Sequence, residues 1–126
     1  MAGLRKILLV EDNVELRNLY LLFLQDHGYE VFTAYDGLDG LARAKEHKPD
    51  LIFLDIMMPR MDGFEVLETL KHDPEYGCTA TKIVMLTNLG DSTRINPRIK
   101  QDMDGYVIKA EIALSDLLEV IESLEK

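Results

Sequence analysis

The chain has 126 residues, of which 47% are apolar and 29% charged, and this size predicts one globular domain, residues 1–126 with a core over about 5–125. The formal net charge of −9 argues against nucleic acid as a direct partner, because phosphate binding requires a basic surface. The early apolar run 7–10 is too short for a signal sequence or a membrane span, and a single Cys78 suits a reducing compartment. We therefore expect a cytoplasmic protein without membrane contact.

Apolar runs of strand length alternate with helical patterns along the chain. The predicted strands are, in chain order, 6–10, 30–33, 51–54, 82–86 and 105–108. The predicted helices are 14–26, 38–47, 64–71, 91–100 and 114–125. Gly28 stands where a left-handed residue would end the first helix. Pro97 lies inside the fourth, where proline removes a helical hydrogen bond, so we predict that helix to be short, kinked or late-starting.

Five strands alternating with five helices predict an α/β fold with a parallel sheet that helices cover on both faces. Right-handed crossovers then favour a flavodoxin-like (βα)5 doubly wound sheet with the strand order 2-1-3-4-5. In such sheets, ligands bind beyond the carboxyl ends of the strands, and this order makes strands one and three neighbours.

Four of the five predicted strands are followed by a polar or ionisable residue. Glu11 and Asp12 follow the first strand, Asp55 the third, Thr87 the fourth and Lys109 the fifth. Asp55 is the most informative, because it ends the apolar run LIFL and a buried carboxylate is unfavourable unless its charge is neutralised. The sequence therefore predicts a cluster of these side chains at one edge of the sheet.

The predicted cluster has the chemistry of a site for a hard cation. Three carboxylates in one place repel each other, and a cation holds all of them ionised. Ligand sets of oxygen atoms with room for water suit Mg²⁺. Lys109 adds a second positive charge, so the loaded site is suited to receive a further anion.

Four segments together resemble the receiver domain of bacterial two-component response regulators. They are LLVEDN, DLIFLDIMMPRMDGFEVL, VMLTN and GYVIKA. The resemblance covers about residues 5–125. It implies that Asp55 accepts a phosphoryl group from the phosphohistidine of a partner kinase. It also implies that Glu11 and Asp12 hold Mg²⁺ together with Asp55 and the backbone carbonyl of Met57.

The same resemblance assigns roles to three residues near the ends of the last two strands. Thr87 matches the switch hydroxyl, Tyr106 the switch aromatic residue, and Lys109 the lysine that pairs with the phosphoryl group. The implied partners are a sensor histidine kinase or phosphotransfer protein and an unidentified downstream protein, with the domain itself a monomer or weak homodimer. Any enzymatic activity would be at most self-phosphorylation from a phosphodonor and slow self-dephosphorylation, since Met57 and Leu89 flank the expected path of water with apolar side chains.

Three positions depart from the family pattern. Ala110 stands where a proline usually follows the lysine, Asn88 where a small residue usually follows the threonine, and Asp102 where a glycine usually precedes strand five. Asp tolerates a left-handed backbone better than most residues, so we expect Asp102 to adopt one. Together with Pro97, these departures predict an altered surface between helix four and strand five.

Other interpretations of single residues remain open at this point. Asp12 is also placed to cap helix one in a capping box with Glu15. The three histidines, His27, His47 and His72, have no ligand spacing, and we expect them to be solvated.

Two other functions compete with the receiver. One is a Mg²⁺-dependent phospho-aspartate phosphatase or phosphotransferase similar to the haloacid dehalogenases, which would need a second acid where Met57 stands. The other is a receiver-like binding module that works independently of phosphorylation, for which Asn88 and Ala110 leave room.

Overall fold

The computed structural model describes residues 4–87, 95–109 and 113–125, and these form a parallel sheet between two layers of helices. The sheet order is β2-β1-β3-β4-β5, which confirms the predicted fold class and strand order. The strands are β1 (Lys6–Val10), β2 (Glu30–Ala34), β3 (Leu51–Asp55), β4 (Lys82–Thr87) and β5 (Gly105–Ile108). The α-helices are α1 (Val14–Asp26), α2 (Gly37–His47), α3 (Gly63–His72), α4 (Pro97–Asp102) and α5 (Leu114–Leu124).

The core lies on both faces of the sheet, and alternate residues of each central strand point into opposite layers. In β3, Ile52 and Leu54 pack with α2 and α3, whereas Leu51 and Phe53 pack with α1 and α5. All five residues of β3 are buried, as a central parallel strand covered on both faces requires. The sequence predicted this strand from its continuous apolar run.

The first helix begins at a different cap from the one that the sequence suggested. Asn13, not Asp12, is the N-cap of α1, and its side-chain oxygen accepts a hydrogen bond from Leu16 N at 3.0 Å. The capping interpretation of Asp12 is therefore wrong. The prediction for the other end is confirmed, because Gly28 has a φ of 91° just after α1.

The fourth helix starts late, as Pro97 predicted. Proline occupies the first position of α4, where its missing N–H is not needed, and Asn96 caps the helix by accepting from Ile99 N at 2.9 Å. Residues 91–94, where the helix was expected to begin, lie outside the described residues. Asp102 is the last residue of α4 and has no left-handed backbone, so that expectation is wrong.

All three histidines make specific contacts. The ring of His47 is half-buried and stacks on Phe32 with 3.7 Å between centroids, so the prediction of a solvated side chain is wrong for this residue. His72 is exposed and pairs with Asp102 at 3.0 Å. His27 is exposed at the end of α1, as expected, and its Nδ1 lies 2.9 Å from the Phe23 carbonyl oxygen. No helix of the described chain is long and apolar enough to cross a membrane.

Candidate functional site

The strand register brings the predicted site residues to one edge of the sheet. Val10 pairs with Leu54, so the next residues, Glu11 and Asp55, lie side by side beyond β1 and within the end of β3. On the other side of Asp55, β4 ends at Thr87. Lys109 follows β5 and its backbone N–H donates to the Thr87 carbonyl at 2.7 Å. Neighbouring parallel strands thus deliver these four residues to the same edge.

Two buried carboxylates share one lysine in this cluster. Lys109 Nζ lies 2.9 Å from Glu11 Oε1 and 3.3 Å from Asp55 Oδ1. Glu11 is fully buried and Asp55 is 2% exposed. One positive charge therefore faces two negative charges in a poorly solvated place, which leaves the cluster short of positive charge.

The shortage of positive charge appears in the pKa of Asp55. Burial, followed by the charge of Glu11, raises the pKa of Asp55 to about 8, although Lys109 opposes the shift. Burial lowers the pKa of Lys109, but its hydrogen bond to Glu11 and the charge of Asp55 outweigh this and leave it raised. Near neutral pH and without a cation, Asp55 therefore holds its proton for much of the time.

A third carboxylate completes a group of oxygen ligands. Single carboxylate oxygens of Glu11, Asp12 and Asp55 all lie within 4.8 Å of one another. Asp12 is exposed, so the group is buried on one side and open to solvent on the other. Glu11 Oε1 is fully buried and faces Lys109 Nζ at 2.9 Å. These donors fit Mg²⁺, which prefers a few carboxylates and keeps several of its waters.

The loop between β3 and α3 returns tightly to the acidic cluster. Gly63 begins α3, and a Cβ there would lie 2.3 Å from the Asp55 carbonyl oxygen. The Gly63 N–H donates to the Ile56 carbonyl at 2.8 Å, and Asp62 and Glu65 form a capping box. Met57 lies in this loop with its side chain 52% exposed, so the thioether makes little contribution to the core.

The structure treats the two predicted switch residues differently. Thr87 is fully buried at the carboxyl end of β4. Tyr106 lies on β5 opposite Met85, two residues before the carboxyl end of that strand, and is 47% exposed. Glu11, Asp12, Asp55 and Lys109 are therefore brought together with Thr87 at the same edge, whereas Tyr106 is not at that edge. Asn88, Leu89 and Ala110 lie outside the described residues.

Sequence reasoning missed an ion pair between the β3–α3 loop and the start of α2. Arg60, in the β3–α3 loop, contacts Asp36, the N-cap of α2. The Asp36-Gly37 pair ahead of a helical pattern could have indicated the cap. Nothing in the pattern around Arg60 indicated its partner, which is 24 residues away.

Comparisons with known proteins place the chain in a family. The model of the response regulator receiver domain matches residues 7–122. The chain is 33% identical over 121 residues to the DNA-binding dual master transcriptional regulator RpaA of Synechocystis sp., covering 96% of this chain and 46% of that protein. It is 36% identical over 103 residues to the transcriptional regulatory protein AfsQ1 of Streptomyces coelicolor, covering 82% of this chain and 44% of that protein. The chain thus spans less than half the length of these curated relatives.

Solved structures agree with the family model. The chemotaxis response regulator CheY4 of Vibrio cholerae superimposes with a TM-score of 0.79 at 32% identity, covering 97% of this chain and 99% of that one. A parallel (βα)5 sheet with acids and a lysine at its carboxyl edge is the architecture of this class, and the chain belongs to the response regulator receiver domain family. Phosphorylation-switched signalling on an aspartate and an acidic pocket for Mg²⁺ are general features of these two-component proteins.

Proposed function

We propose that Asp55 of this chain accepts a phosphoryl group, with Mg²⁺ held by Glu11, Asp12, Asp55 and the backbone carbonyl of Met57. The observation that carries the proposal is the position of Asp55, buried at the sheet edge with Lys109 Nζ 3.3 Å away and two more carboxylates beside it. Burial beside other carboxylates is unfavourable for a carboxylate that has only a structural role. A phosphoryl acceptor, in contrast, needs a lysine and cation ligands next to it.

The side chains of the cluster suit phosphoryl transfer from a phosphohistidine. An Asp55 oxygen attacks the phosphorus, a P–O bond forms, the P–N bond breaks, and the histidine leaves. Lys109 is positioned to pair with the phosphoryl oxygens, because its Nζ already lies within 3.3 Å of carboxylate oxygens of Glu11 and Asp55. Bound Mg²⁺ would supply the remaining positive charge and favour ionised Asp55 over its protonated form.

The response to phosphorylation would pass through Thr87 and Tyr106. We propose that the Thr87 hydroxyl moves toward the phosphoryl oxygens and that the half-exposed Tyr106 ring turns inward. Thr87→Ala should then leave phosphorylation of Asp55 largely intact and weaken binding of the downstream partner. Equal partner affinity for the phosphorylated wild type and variant would contradict this mechanism.

The decisive test of the acceptor is mass analysis after exposure to acetyl phosphate and Mg²⁺. The wild type should gain one phosphoryl group, and Asp55→Asn should gain none. Asp26→Asn, at the exposed end of α1, is the matched control and should be labelled like the wild type. Labelling of Asp55→Asn at the wild-type level would refute the assignment.

The phosphorylated state should hydrolyse slowly. Met57 and Leu89 flank the expected path of the attacking water, and neither side chain can orient water by hydrogen bonding. Met57→Asn should accelerate loss of the phosphoryl group after removal of the donor, and about 1.4 kcal/mol in the barrier corresponds to a tenfold change in rate. An unchanged or longer half-life would show that the apolar flank is not the cause.

The cellular context that we propose follows from the family. The phosphodonor is a sensor histidine kinase or phosphotransfer protein, and the output is contact with an unidentified downstream protein in the cytoplasm. We propose that residues 1–126 act as one receiver domain, as a monomer or weak homodimer, without binding nucleic acid directly. The net charge of −9 supports this last point, since a phosphate backbone would repel such a surface.

The two competing functions make different predictions in the same experiments. A phosphatase of the haloacid dehalogenase type needs an acid two residues after the nucleophile, where this chain has Met57, and a thioether cannot transfer protons. A module that works without phosphate would bind its partner equally well before and after acetyl phosphate treatment. Phosphorylation-dependent binding, lost in Asp55→Asn, would exclude it.

A further inference from the structure

Arg60 has an unusual backbone conformation in the loop that follows Asp55. Its φ is 69°, in the left-handed region that residues with a Cβ rarely adopt. Of the described non-glycine residues, only Lys48, which ends α2, shares this feature. Arg60 lies in the middle of the β3–α3 loop, five residues after Asp55. Such a conformation persists only where surrounding contacts hold it.

The Arg60 side chain contacts a buried carboxylate, and the Met61 N–H donates to the Pro59 carbonyl across this residue at 2.8 Å. Arg60 Nε and a terminal guanidinium nitrogen lie 2.7 Å and 2.6 Å from Asp36 Oδ2. Asp36 is 3% exposed, and its other oxygen accepts from Asp39 N at 2.8 Å as the N-cap of α2. Asp36 therefore has one oxygen for the helix and one for Arg60. The two hydrogen bonds are charge-assisted and fix the guanidinium against Asp36, although the Arg60 side chain is itself 52% exposed.

A second contact shows that the β3–α3 loop packs against the start of α2 without space between them. A Cβ on Gly37 would lie 2.2 Å from the Met61 carbonyl oxygen, so the backbone beside Arg60 rests directly on the start of α2. The far end of the loop is held in the same way, since Gly63 rests on the Asp55 carbonyl. The loop is thus attached at Asp55 and Gly63 by its ends and at Asp36 by its middle.

We propose that the Arg60–Asp36 ion pair is a clamp that positions the β3–α3 loop for Mg²⁺ binding and phosphorylation at Asp55. This inference rests on the proposed function, since the loop supplies the Met57 carbonyl to the metal. Arg60 and Asp36 are positioning residues that act through the loop backbone. Without the clamp, the left-handed turn at Arg60 relaxes and the Met57 carbonyl is no longer held in one place.

Loss of the clamp and loss of the arginine charge alone should change the dissociation constant of Mg²⁺ in opposite directions. Removing a positive charge near a cation site should tighten Mg²⁺ binding if only the electrostatic field matters. Removing a clamp should weaken Mg²⁺ binding, because the loop must then be ordered at the moment of binding. The direction of the change in the dissociation constant therefore separates positioning from long-range electrostatics.

Four variants and one control test the clamp. Arg60→Gln removes the charge and the fork of donors, and Arg60→Gly also removes the unfavourable left-handed conformation, so any loosening in it cannot be attributed to strain. Asp36→Asn retains an N-cap but loses the carboxylate. Arg60→Gln with Asp36→Asn completes a double-mutant cycle. Arg43→Gln, on the first turns of α2 and paired with Asp39, is the matched change of charge outside the clamp.

The first readout does not depend on activity. Amide hydrogen exchange of residues 56–62 in Mg²⁺-free protein should rise about tenfold in each clamp variant and stay unchanged in Arg43→Gln. Calorimetric titration should show Mg²⁺ binding weakened by about tenfold, the lower end for residues that support metal ligands. The rate of phosphorylation by acetyl phosphate at limiting Mg²⁺ should fall in parallel. The double variant should be no worse than the worse single variant, because either change already breaks the pair.

Clear results would overturn the inference. Clamp variants with wild-type loop exchange and wild-type or tighter Mg²⁺ binding would show that Arg60 acts only through its charge or not at all. Additive losses in the double variant would show that the residues do not work as a pair. A wild type that neither binds Mg²⁺ nor becomes phosphorylated would refute the proposed function and the inference with it, whereas an active wild type with equally active clamp variants would refute the inference alone.

Discussion

The two sides of the sheet's carboxyl edge are built differently. On the side of β3 and α3, every strand residue is buried, and α3 starts with a capping box and buries four residues. On the side of β5 and α4, the strand has four residues, none of them fully buried, and α4 has six residues, none buried. The first side carries Asp55, and the second carries Tyr106 and leads to Lys109.

Several polar contacts join the side of β5 and α4 to the rest of the protein. Asp104, just before β5, accepts from Lys71 Nζ at 3.0 Å and from Ile83 N at 2.8 Å. α4 is joined to α3 by the ion pair Arg98–Glu68 and by a hydrogen-bonding contact between His72 and Asp102. Exposed ion pairs contribute little to stability, whereas buried apolar contacts contribute much.

The comparison indicates that the side of β3 and α3, here called the acceptor side, is rigid. The side of β5 and α4, here called the response side, is loosely attached. Elements with little buried apolar surface open at low free-energy cost, and switching elements come from this end of the range. We therefore expect the amides of α4 and β5 to exchange faster than those of β3 and α3. Phosphorylation at Asp55 would then shift the side that is easiest to move.

The largest expected difference in stability is between alanine substitutions of one glycine on each side. A Cβ at Gly63 would lie 2.3 Å from the Asp55 carbonyl oxygen, whereas a Cβ at Gly105 in β5 would meet only Val84 at an ordinary 3.9 Å. Gly63→Ala should destabilise the protein by about 3 kcal/mol or more. Gly105→Ala should change stability by at most about 0.5 kcal/mol. Urea denaturation measures both, and equal effects would contradict the difference between the two sides.

The second-largest expected effect is stabilisation of the folded protein by Mg²⁺ bound on the acceptor side. At a hundredfold excess over the dissociation constant, binding to the folded state alone adds about 2.7 kcal/mol to the free energy of unfolding. The source is relief of repulsion among Glu11, Asp12 and Asp55. Asp12→Ala removes one proposed ligand at an exposed position and should abolish the response in thermal unfolding. A melting temperature that is constant across a wild-type titration would exclude the metal site.

The raised pKa of Asp55 predicts a pH dependence of stability. An unfolded Asp has a pKa of about 3.9, and the folded value is about 8, so the folded state binds the proton more tightly between these values. Stability should therefore fall as the pH rises through this window, with a limit of about 1.4 kcal/mol per pH unit. Asp55→Asn does not titrate there and should gain about 2 kcal/mol relative to the wild type between pH 5 and 7 in EDTA.

Two observations would sharpen or contradict this assignment. Saturating Mg²⁺ should reduce the pH dependence, because the cation favours the ionised form of Asp55. Asp26→Asn, far from the cluster at the end of α1, should follow the wild-type profile. Denaturation curves of wild type and Asp55→Asn that run parallel from pH 5 to 7 would show that Asp55 is not the group responsible.

The smallest effects concern the polar contacts of the response side. Asp104→Ala breaks bonds to a largely buried Lys71 and to the backbone of β4, and should cost about 1.5 kcal/mol. Arg98→Ala breaks a pair whose arginine side chain is 74% exposed, and should cost less than about 0.5 kcal/mol. Melting temperatures of the two variants provide the measurement. A larger loss for Arg98→Ala would mean that α4 is held more firmly than its burial indicates.

Much of the fold and the site could be predicted from local patterns. Strands β1 and β5 were predicted at their observed bounds, and the other three strands end one residue later than predicted, because continuous apolar runs mark buried parallel strands. Pro97 predicted the late start of α4 for a simple steric reason. The convergence of Glu11, Asp55, Thr87 and Lys109 followed from the rule that carboxyl ends of parallel strands meet at one edge.

The wrong predictions share a different cause. Asp12 and Asn13 are both good N-caps, and only the direction in which the chain leaves β1 decides between them. His47 was expected in solvent, but the neighbouring strand β2 places Phe32 under its ring. Asp102 was expected in a left-handed turn, but α4 continues through it and His72 pairs with its carboxylate. Each outcome depends on a neighbour that local pattern does not reveal.

The sequence by itself determined the order of elements and the edge at which the acids meet, because both follow from the period of apolar residues and from the geometry of parallel strands. Tertiary structure alone decided the 2.9 Å approach of Lys109 to Glu11, the raised pKa of Asp55 and the contact of Arg60 with Asp36. These depend on burial and on pairs of residues distant in the chain. Charge interactions vary with solvation and separation, and only the folded protein sets both.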